Sequence, residues 1–364
     1  MTVQYINQTL RILLLFILTF AVLYFGAVVL IPLTFGLVLA LLLLPVCNWL
    51  QRRGLGNGLA SALSVVSLIA VVAGIITLLQ YQLTDLLDDL SKIEQRVNEV
   101  IESTKDYIQQ HFGVSHKEQQ KIIKEQQAGG MGQAAGMVTT LLGSLAGILV
   151  DTILVLVYTF LFIFYRAHFK KFILRLFKAD DRPTTEKVLD NSGKVIQSYL
   201  GGLAMMIVML WIMYGIGFSI VGVKNAIFFA ILCGILELVP FAGNITGTSI
   251  TVLMSLAQSS DTKIVFGVLI VYGCVQLLQT YVLEPIVVGD RLNINPLFTI
   301  LIIVVGEAIW GIAGMILAIP LLGIFKIICD NFEPLNDIGF LIGPPKEKKG
   351  EQGNFITRLF KSKK

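Results

Sequence analysis

Charged residues are scarce in this sequence: Asp, Glu, Lys and Arg make up 14% of its 364 residues, whereas 55% are hydrophobic. Soluble domains carry roughly 25% charged residues, so the composition excludes an ordinary soluble protein. The run from Ile12 to Leu50 has no charged residue at all. At ~1.5 Å per residue it would form a helix about twice as long as the ~30 Å that one membrane crossing needs. The sequence therefore predicts an all-α polytopic membrane protein.

Cysteine is also rare, and the four cysteines lie far apart in apolar segments without a C-x-x-C spacing. This excludes a disulfide framework and a zinc site of the usual spacing, and it predicts four small core residues. Valines at 188 and 195 exclude a phosphate-binding loop around Gly193-Lys194. Because no H-E-x-x-H or G-x-S-x-G pattern occurs either, we expect no metal, no cofactor, no ATP-driven pump and no enzyme.

The apolar runs predict eight membrane passes, or six passes with two re-entrant hairpins, around an extramembrane helical insert. Since the run 12–50 is too long for one helix, Pro32 is predicted to mark a hairpin between the first two. The predicted divisions are membrane helices 1 to 3 at 1–80, an extracytoplasmic amphipathic helical insert at 81–130, membrane helix 4 at 131–165, cytoplasmic basic and amphipathic helices at 166–199, a transport unit with two broken segments at 200–328, and a basic cytoplasmic tail at 329–364.

The distribution of charge predicts the orientation. Residues 166–194 contain eight Lys or Arg against four Asp or Glu, whereas residues 85–125 contain six basic and nine acidic residues. By the positive-inside rule the first segment and both termini are cytoplasmic, and the insert lies outside. The basic amphipathic segment predicts contact with membrane lipids rather than nucleic acid. Heptad-spaced apolar residues in the insert predict packing either on its own subunit or on neighbours in a homo-oligomer.

The segment 226–257 is the first candidate site, because its apolar run is interrupted by Glu237, Pro240 and Gly243. Proline removes a backbone donor, and a broken helix survives in hydrocarbon only where it is buried in protein or lines a water-filled cavity. An ionisable residue at membrane depth is by default a candidate functional group. Glu237 is therefore predicted to bind a cation or a proton.

The segment 297–328 repeats this pattern, with Glu307 beside the helix-loosening Gly311 and Gly314. Paired broken segments in corresponding positions point to a secondary-transporter site. If both are hairpins, the first enters from outside and the second from inside, which makes an inverted repeat. Burial favours the neutral form of a carboxyl group, so the pair Glu237 and Glu307 fits proton coupling or exchange of a cation for protons.

The span between the two broken segments carries a polar stripe at spacings of three and four residues: Tyr272, Gln276, Gln279, Thr280 and Glu284. This face either lines a solute path or makes hydrogen bonds between helices, worth roughly 0.6 kcal/mol each. Both interpretations stay open at this point.

Several other polar residues are candidates with two interpretations each. Pro285 and Gly289 are predicted to break the helix, and Asp290 with Arg291 forms either a gate pair or a solvated turn. Asp151 in the fourth span is either a structural hydrogen-bonding group or a functional carboxylate. Asn244 and Asn295, which lie next to the breaks, are predicted to contact a solute.

Three stretches resemble the autoinducer-2 exporter family, also called PerM-type permeases. They are Glu237-Leu-Val-Pro240-Phe-Ala-Gly243; Gln279 with Glu284-Pro285-Ile-Val-Val-Gly289 and Leu292-Asn-Ile-Asn-Pro296-Leu; and Val305-Gly306 with Gly311-Ile-Ala-Gly314-Met-Ile-Leu-Ala-Ile-Pro320. The resemblance covers most of the chain and implies a bacterial inner-membrane transporter that forms a homo-oligomer such as a pentamer.

The resemblance leaves the solute open. The family is named for export of a small furanone signal, yet other members resemble sodium or lithium/proton antiporters. This chain departs from the family at Phe241, Ala242 and Gly243-Asn244, where many members have Tyr, Ile or Leu followed by Gly-Pro, and at Asn295, where many have His.

The sequence thus favours a secondary transporter of a small polar solute or signal, such as autoinducer-2. Glu237 and Glu307 would bind a cation or proton, and Asn244, Gln276, Gln279 and Asn295 would contact the solute. One alternative is a sodium or lithium/proton antiporter. Another, which rests on the heptad and basic helices, is a non-transporting oligomeric scaffold.

Overall fold

The computed structural model describes residues 2–88, 151–179, 182–240, 242–258, 262–288 and 292–345. The regular secondary structure of those ranges is helical throughout, which confirms the predicted all-α fold. The helices are α1 (Thr2–Phe25), α2 (Ala27–Arg52), α3 (Asn57–Asp88), α4 (Asp151–Phe164), α5 (Arg166–Arg175), α6 (Arg182–Val221), α7 (Ala226–Leu236), α8 (Ala242–Gln258), α9 (Thr262–Leu278), a π-helix (Gln279–Val288), α10 (Pro296–Asn331), a 3-10 helix (Glu333–Leu335) and α11 (Asn336–Ile342).

Several of these helices are long and apolar enough to cross a membrane. Five candidate spans lie at 27–52, 57–82, 185–221, 263–287 and 296–331, and α4 with α5, bent by 65°, makes a sixth. Many apolar side chains on them are exposed, for example Val28 and Ile220. Because soluble proteins rarely expose large apolar surfaces, this outer surface confirms a polytopic membrane protein.

The predicted hairpin at Pro32 is wrong. Helix α1 ends at Phe25, α2 begins at Ala27, and Pro32 lies buried inside α2. The Gly26 amide donates to the Val22 carbonyl and the Leu30 amide to the Gly26 carbonyl, both at 2.9 Å. Helical bonding therefore continues across the junction. Pro32 is tolerated because one lost backbone bond is acceptable in a membrane helix packed against neighbours.

Three further predictions have different outcomes in the structure. The amphipathic helix and the span predicted on either side of residue 200 are one continuous helix, α6, of 40 residues. Cys47, Cys233 and Cys329 are buried as predicted, but Cys274 is exposed because it lies on an outward face of α9. The insert beyond Asp88 and the glycine-rich start of the fourth span lie outside the described residues.

Helices α7 and α8 form an antiparallel hairpin around the turn 237–240. A Cβ atom on Gly243 would lie 1.6 Å from the carbonyl oxygen of Leu236, and one on Gly247 would lie 3.3 Å from Cα of Cys233. Further from the turn, the Sγ atom of Cys233 is 3.6 Å from Oγ1 of Thr251. Only a glycine fits at 243, so the two helices meet at the turn without side chains between them.

Helix α10 also folds back on itself, at Gly311. This residue has φ 59° and ψ −138°, a conformation that favours glycine because it has no side chain. The two limbs touch through Gly306 and Gly314, where a Cβ on Gly314 would lie 1.9 Å from the Gly306 carbonyl oxygen. At the tip, Trp310 donates its indole N–H to the Leu23 carbonyl at 2.8 Å. The second broken segment is therefore also a hairpin.

The two hairpins start from opposite ends of the helix bundle. The first begins beside the end of α3, where the Phe228 amide donates to Oε1 of Gln82 at 2.8 Å, and it directly follows the C-terminal end of α6. The base of the second packs near the beginning of α6, because Leu292 shares a core cluster with Ile196 and Tyr199. This arrangement has the inverted sense expected from the sequence.

Candidate functional site

A cavity of about 860 Å³ lies between the two hairpins. Its wall combines α2, α6, the turn of the first hairpin, the π-helix and both limbs of α10. Most of the lining is apolar, and the polar side chains on it are Tyr199, Glu237, Asn244, Gln279, Glu284 and Thr299. Small-molecule sites typically measure roughly 300–1,000 Å³ and combine apolar walls with a few polar groups. The cavity therefore has the size and lining of a small-molecule site.

Gln279 joins two carboxyl groups on this wall. Its Nε2 atom donates to Oε1 of Glu237 at 2.8 Å, and the Glu284 carboxyl group lies close enough to interact with the same amide. Gln279 is 2% exposed, and among the described residues its Oε1 atom has no hydrogen-bond partner. Leaving a buried acceptor unpaired costs roughly 1–3 kcal/mol. The amide oxygen is thus an unpaired acceptor that lies buried beneath the cavity surface.

The π-helix explains why Gln279 and Glu284 meet although they are five residues apart. In an α-helix of ~3.6 residues per turn, such side chains would point about 140° apart. A π-helix bonds residue i to i+5 and brings those positions into line, and π segments are frequent at functional sites. Pro285 lies inside this π-helix, so the predicted break there is a widened turn of a continuing helix.

The turn of the first hairpin brings Glu237 and Asn244 to the cavity. Helix α7 ends at Leu236, and Glu237 follows as its half-buried C-terminal cap. Asn244 at the start of α8 donates its Nδ2–H to Oε1 of Gln276, which ties the hairpin to α9. Residues of the polar stripe therefore have two different roles. Gln276 makes a hydrogen bond to a neighbouring helix, and Gln279 lines the cavity.

Glu307 does not join Glu237, so the predicted carboxylate pair is not assembled. It is exposed on the first limb of α10 and does not line the cavity. The preceding residue, Gly306, faces Gly314 of the second limb, and Glu307 lies about 100° further around a helix of ~3.6 residues per turn. The carboxyl group that shares a partner with Glu237 is Glu284.

Asn295 and Asp151 also lie away from the cavity wall. The side-chain oxygen of Asn295 caps α10 by accepting a hydrogen bond from the Leu297 backbone N–H at 3.0 Å. The backbone N–H of Asn295 donates to the Ile342 carbonyl at 2.8 Å. Asp151 is exposed where the described part of α4 begins. Gly289 and the gate candidates Asp290 and Arg291 lie outside the described residues.

Sequence reasoning missed the parts of the wall that come from α2 and α6. Phe35, Val38 and Leu42 of α2 line the cavity, as does Tyr199 of α6, which is 7% exposed. Apolar residues of this kind occur on every face of a membrane helix, so no pattern marked these as lining residues. Helix α2 therefore takes part in the candidate site and is more than a supporting element.

The fold and the cavity define a multi-pass α-helical membrane protein of the permease class, with two opposed hairpins around a central polar cluster. The chain belongs to the AI-2E transporter family, because the family described as "AI-2E family transporter" matches residues 13–333. This confirms the resemblance drawn from the motifs.

Curated relatives agree with this assignment along most of the chain. Putative transport protein YrrI of Bacillus subtilis is 25% identical over 316 residues, which cover 83% of this chain and 86% of that protein. Putative transport protein MT0215 of Mycobacterium tuberculosis is 25% identical over 317 residues, 82% of each chain. Putative transport protein YhhT of Escherichia coli K12 is 21% identical over 324 residues, 89% of this chain and 90% of that protein.

Proposed function

We propose that this protein is a secondary transporter of the bacterial inner membrane that carries a small polar solute coupled to protons or sodium ions. The observation that carries the proposal is the cluster of Glu237, Gln279 and Glu284 on the wall of the central cavity. Secondary transporters place their sites between broken helices of inverted repeats. In this proposal both termini are cytoplasmic and the protein is a homo-oligomer.

The cluster gives a physical basis for coupling. Two carboxyl groups near each other repel when both are ionised, and a proton or cation relieves that repulsion. The Gln279 oxygen is unpaired but buried, so in this proposal the side chain rotates toward the cavity before that oxygen accepts from a hydroxyl or amine of a solute. A small solute with several hydroxyl groups, such as autoinducer-2, would fit this wall, with Asn244 as a further contact. Binding of the ion would then favour binding of the solute, and binding of the solute would favour binding of the ion.

A second candidate function is sodium or lithium/proton antiport. The observation that favours it is the proximity of the Glu237 and Glu284 carboxyl groups, since hard cations bind oxygen ligands. In this case the cation itself is the transported species. It would compete with a proton for Glu237 and Glu284.

Flux measurements in proteoliposomes test both candidates. The purified protein is reconstituted with a trapped pH-sensitive dye, and Na⁺, Li⁺ or K⁺ is added outside, with and without autoinducer-2 and other small polar solutes. Proton movement that requires a solute, or uptake of a labelled solute that requires Na⁺, supports the carrier, and proton movement driven by Na⁺ or Li⁺ alone supports the antiporter. Absence of any flux under every gradient contradicts both and favours the scaffold.

Replacing Gln279 by Met should reduce transport about tenfold or more. The substitution keeps the length of the side chain but removes the amide that joins the two carboxyl groups. A hydrogen bond to a charged group is worth roughly 1.5–3 kcal/mol. Initial transport rates measure the effect. The comparison variant is Gln276→Met, because Gln276 does not line the cavity and acts on it only through its bond to Asn244. We expect a smaller loss there, and equal losses in both variants would contradict the assignment of Gln279.

A further inference from the structure

The first turn of α7, at the base of the first hairpin, is capped by a residue of another helix. The first backbone amides of a helix have no partner within it, and Phe228 is the third residue of α7. The Phe228 amide donates to Oε1 of Gln82 on α3 at 2.8 Å. In addition, Nδ2 of Asn225 donates to the backbone carbonyl oxygen of Gln82 at 3.3 Å. Gln82 therefore holds the base of the hairpin through both its side chain and its backbone.

Asn225 directly precedes α7 but does not cap it. Asparagine is one of the preferred capping residues, and a capping residue typically has an extended backbone and accepts from the second or third amide of its helix. Asn225 instead has φ 60° and ψ 38°, and it makes no capping hydrogen bond. Its Oδ1 atom is buried without a partner among the described residues. The acceptor for α7 is supplied by Gln82, which lies 146 positions before Phe228 in the chain.

Gln82 and the hairpin belong to different packing clusters. Gln82 is the last residue of the candidate span of α3, and α3 contributes Ala60 and Val65 to a core cluster with α2 and α4. The first limb of the hairpin packs in another cluster, where Phe229 lies with Phe218 of α6 and with residues of α9. The two hydrogen bonds of Gln82 therefore join these two clusters.

The wall of the central cavity contains residues from both sides of this junction. Val38 and Leu42 of α2 form one part of the wall, and Glu237, which directly follows α7, forms another. A Cβ atom on Gly234 would lie 2.3 Å from Cδ1 of Trp211 in α6, so α7 packs directly on α6 and has little room to shift along it. The position of Glu237 relative to α2 therefore depends on how the base of α7 is held against α3.

We infer that Gln82 is a positioning residue for Glu237 in the central cavity. Its side chain caps α7 in place of Asn225, and its two hydrogen bonds hold the first limb of the hairpin against α3. Because Glu237 follows that limb, the same bonds fix its carboxyl group relative to the α2 side of the cavity. The cap does not depend on what the protein carries, whereas the effect on flux rests on the proposed function.

The chemistry of the cap defines a set of matched substitutions at position 82. Glutamate has the same length as glutamine and keeps an acceptor oxygen, and a negative charge is favourable at the start of a helix. Methionine is of similar length, but its sulfur is only a weak acceptor. Asparagine keeps the amide but is one methylene group shorter, which withdraws the oxygen from the Phe228 amide. Glutamate should therefore preserve the cap, and methionine and asparagine should remove it.

Hydrogen-exchange mass spectrometry of the full-length protein in detergent tests the inference. Wild type, Gln82→Met, Gln82→Asn and Gln82→Glu are compared for peptides that cover residues 222–236 and the turn at 237–244. The control is Thr77→Val, because the Thr77 hydroxyl donates to the Ala73 carbonyl of its own helix at 2.8 Å. Initial flux of each variant is measured in proteoliposomes, and thermal unfolding checks that each variant is folded.

We expect Gln82→Met to exchange roughly two- to thirtyfold faster at the start of α7, which is the factor that corresponds to the loss of a helix cap. Exchange at the turn should rise as well, and flux should fall on the order of tenfold, because small misplacements of a functional group are costly. Gln82→Glu and Thr77→Val should match wild type in both measurements.

If Gln82→Met does not fold, the milder Gln82→Asn decides the question. Unchanged exchange in the folded variant, an equal rise in Gln82→Glu, or normal flux despite faster exchange would overturn the inference. Absence of flux in the wild type contradicts the proposed function instead, and exchange at the turn then still decides whether Gln82 positions it.

Discussion

Replacing Glu237 by Gln is expected to abolish coupled transport, whereas the same change at Glu307 should leave it within about twofold of wild type. Gln keeps the shape of the side chain but can carry no negative charge and cannot exchange a proton. The bond from Gln279 to a charged acceptor is lost as well, and such bonds are worth roughly 1.5–3 kcal/mol, up to about 100-fold in rate. Glu307 lies outside the cavity wall, so it is a matched control with the same chemistry.

The measurement is initial flux in proteoliposomes at equal protein density, with the gradient that drives the wild type. A Glu284→Gln variant extends the comparison, since Glu284 shares Gln279 with Glu237. We expect Glu284→Gln to reduce the initial flux, as Glu237→Gln does. Loss of transport in both Glu237→Gln and Glu307→Gln would restore the carboxylate pair predicted from the sequence, and normal transport in Glu237→Gln would contradict the proposed site.

Replacing Gly243 by Ala is expected to destabilise the protein by about 3 kcal/mol, at the upper end of what overpacking costs. The new Cβ would collide with the backbone carbonyl of Leu236, which cannot move without opening the hairpin turn that carries Glu237. Gly314→Ala should act in the same way at the second hairpin, because its Cβ would meet the Gly306 carbonyl. Both variants should also lose transport.

Thermal unfolding of the purified protein in detergent measures this effect. The matched controls are Gly201→Ala in α6 and Gly273→Ala in α9, where a Cβ meets nothing within 4 Å. Replacing glycine by alanine inside an open helix stabilises it by roughly 0.5–1 kcal/mol. Melting temperatures that fall equally in all four variants would show that the hairpin turns are not the cause.

The location of the first hairpin could be predicted from residues, because a carboxylate and a proline inside an apolar run have few acceptable explanations. Gly243 added to the predicted break, and the structure shows that it allows the close approach of two backbones. The second hairpin was found in the same way from Gly311 and Gly314. What the pattern did not contain was the direction of each side chain near the turns, so Glu307 was paired with Glu237 although it lies on another face.

The partner of Glu237 could not be found from sequence because it depends on the π-helix. Gln279 and Glu284 are five apart, and the spacing rules of an α-helix separate such positions. Pro285 signalled an irregularity, but it was interpreted as the end of the helix. Similarly, Pro32 was the stronger sequence signal for a hairpin, but it lies inside α2. The junction between α1 and α2 lies at Gly26, where helical hydrogen bonding continues. A proline marks where a backbone bond is missing, not how the chain turns there.

If the protein is a transporter of the proposed kind, the cavity between the hairpins is an aqueous solute path. Accessibility of Ile245→Cys, compared with Ile270→Cys, to a membrane-impermeant thiol reagent tests it in a Cys274→Ser background. The two isoleucines are 67% and 65% exposed, but only Ile245 lines the cavity. We expect position 245 to react and position 270 not to react, with slower reaction at 245 when a transported solute is present. Equal reactivity of the two positions, or no reaction at 245 from either side of the membrane, would contradict it.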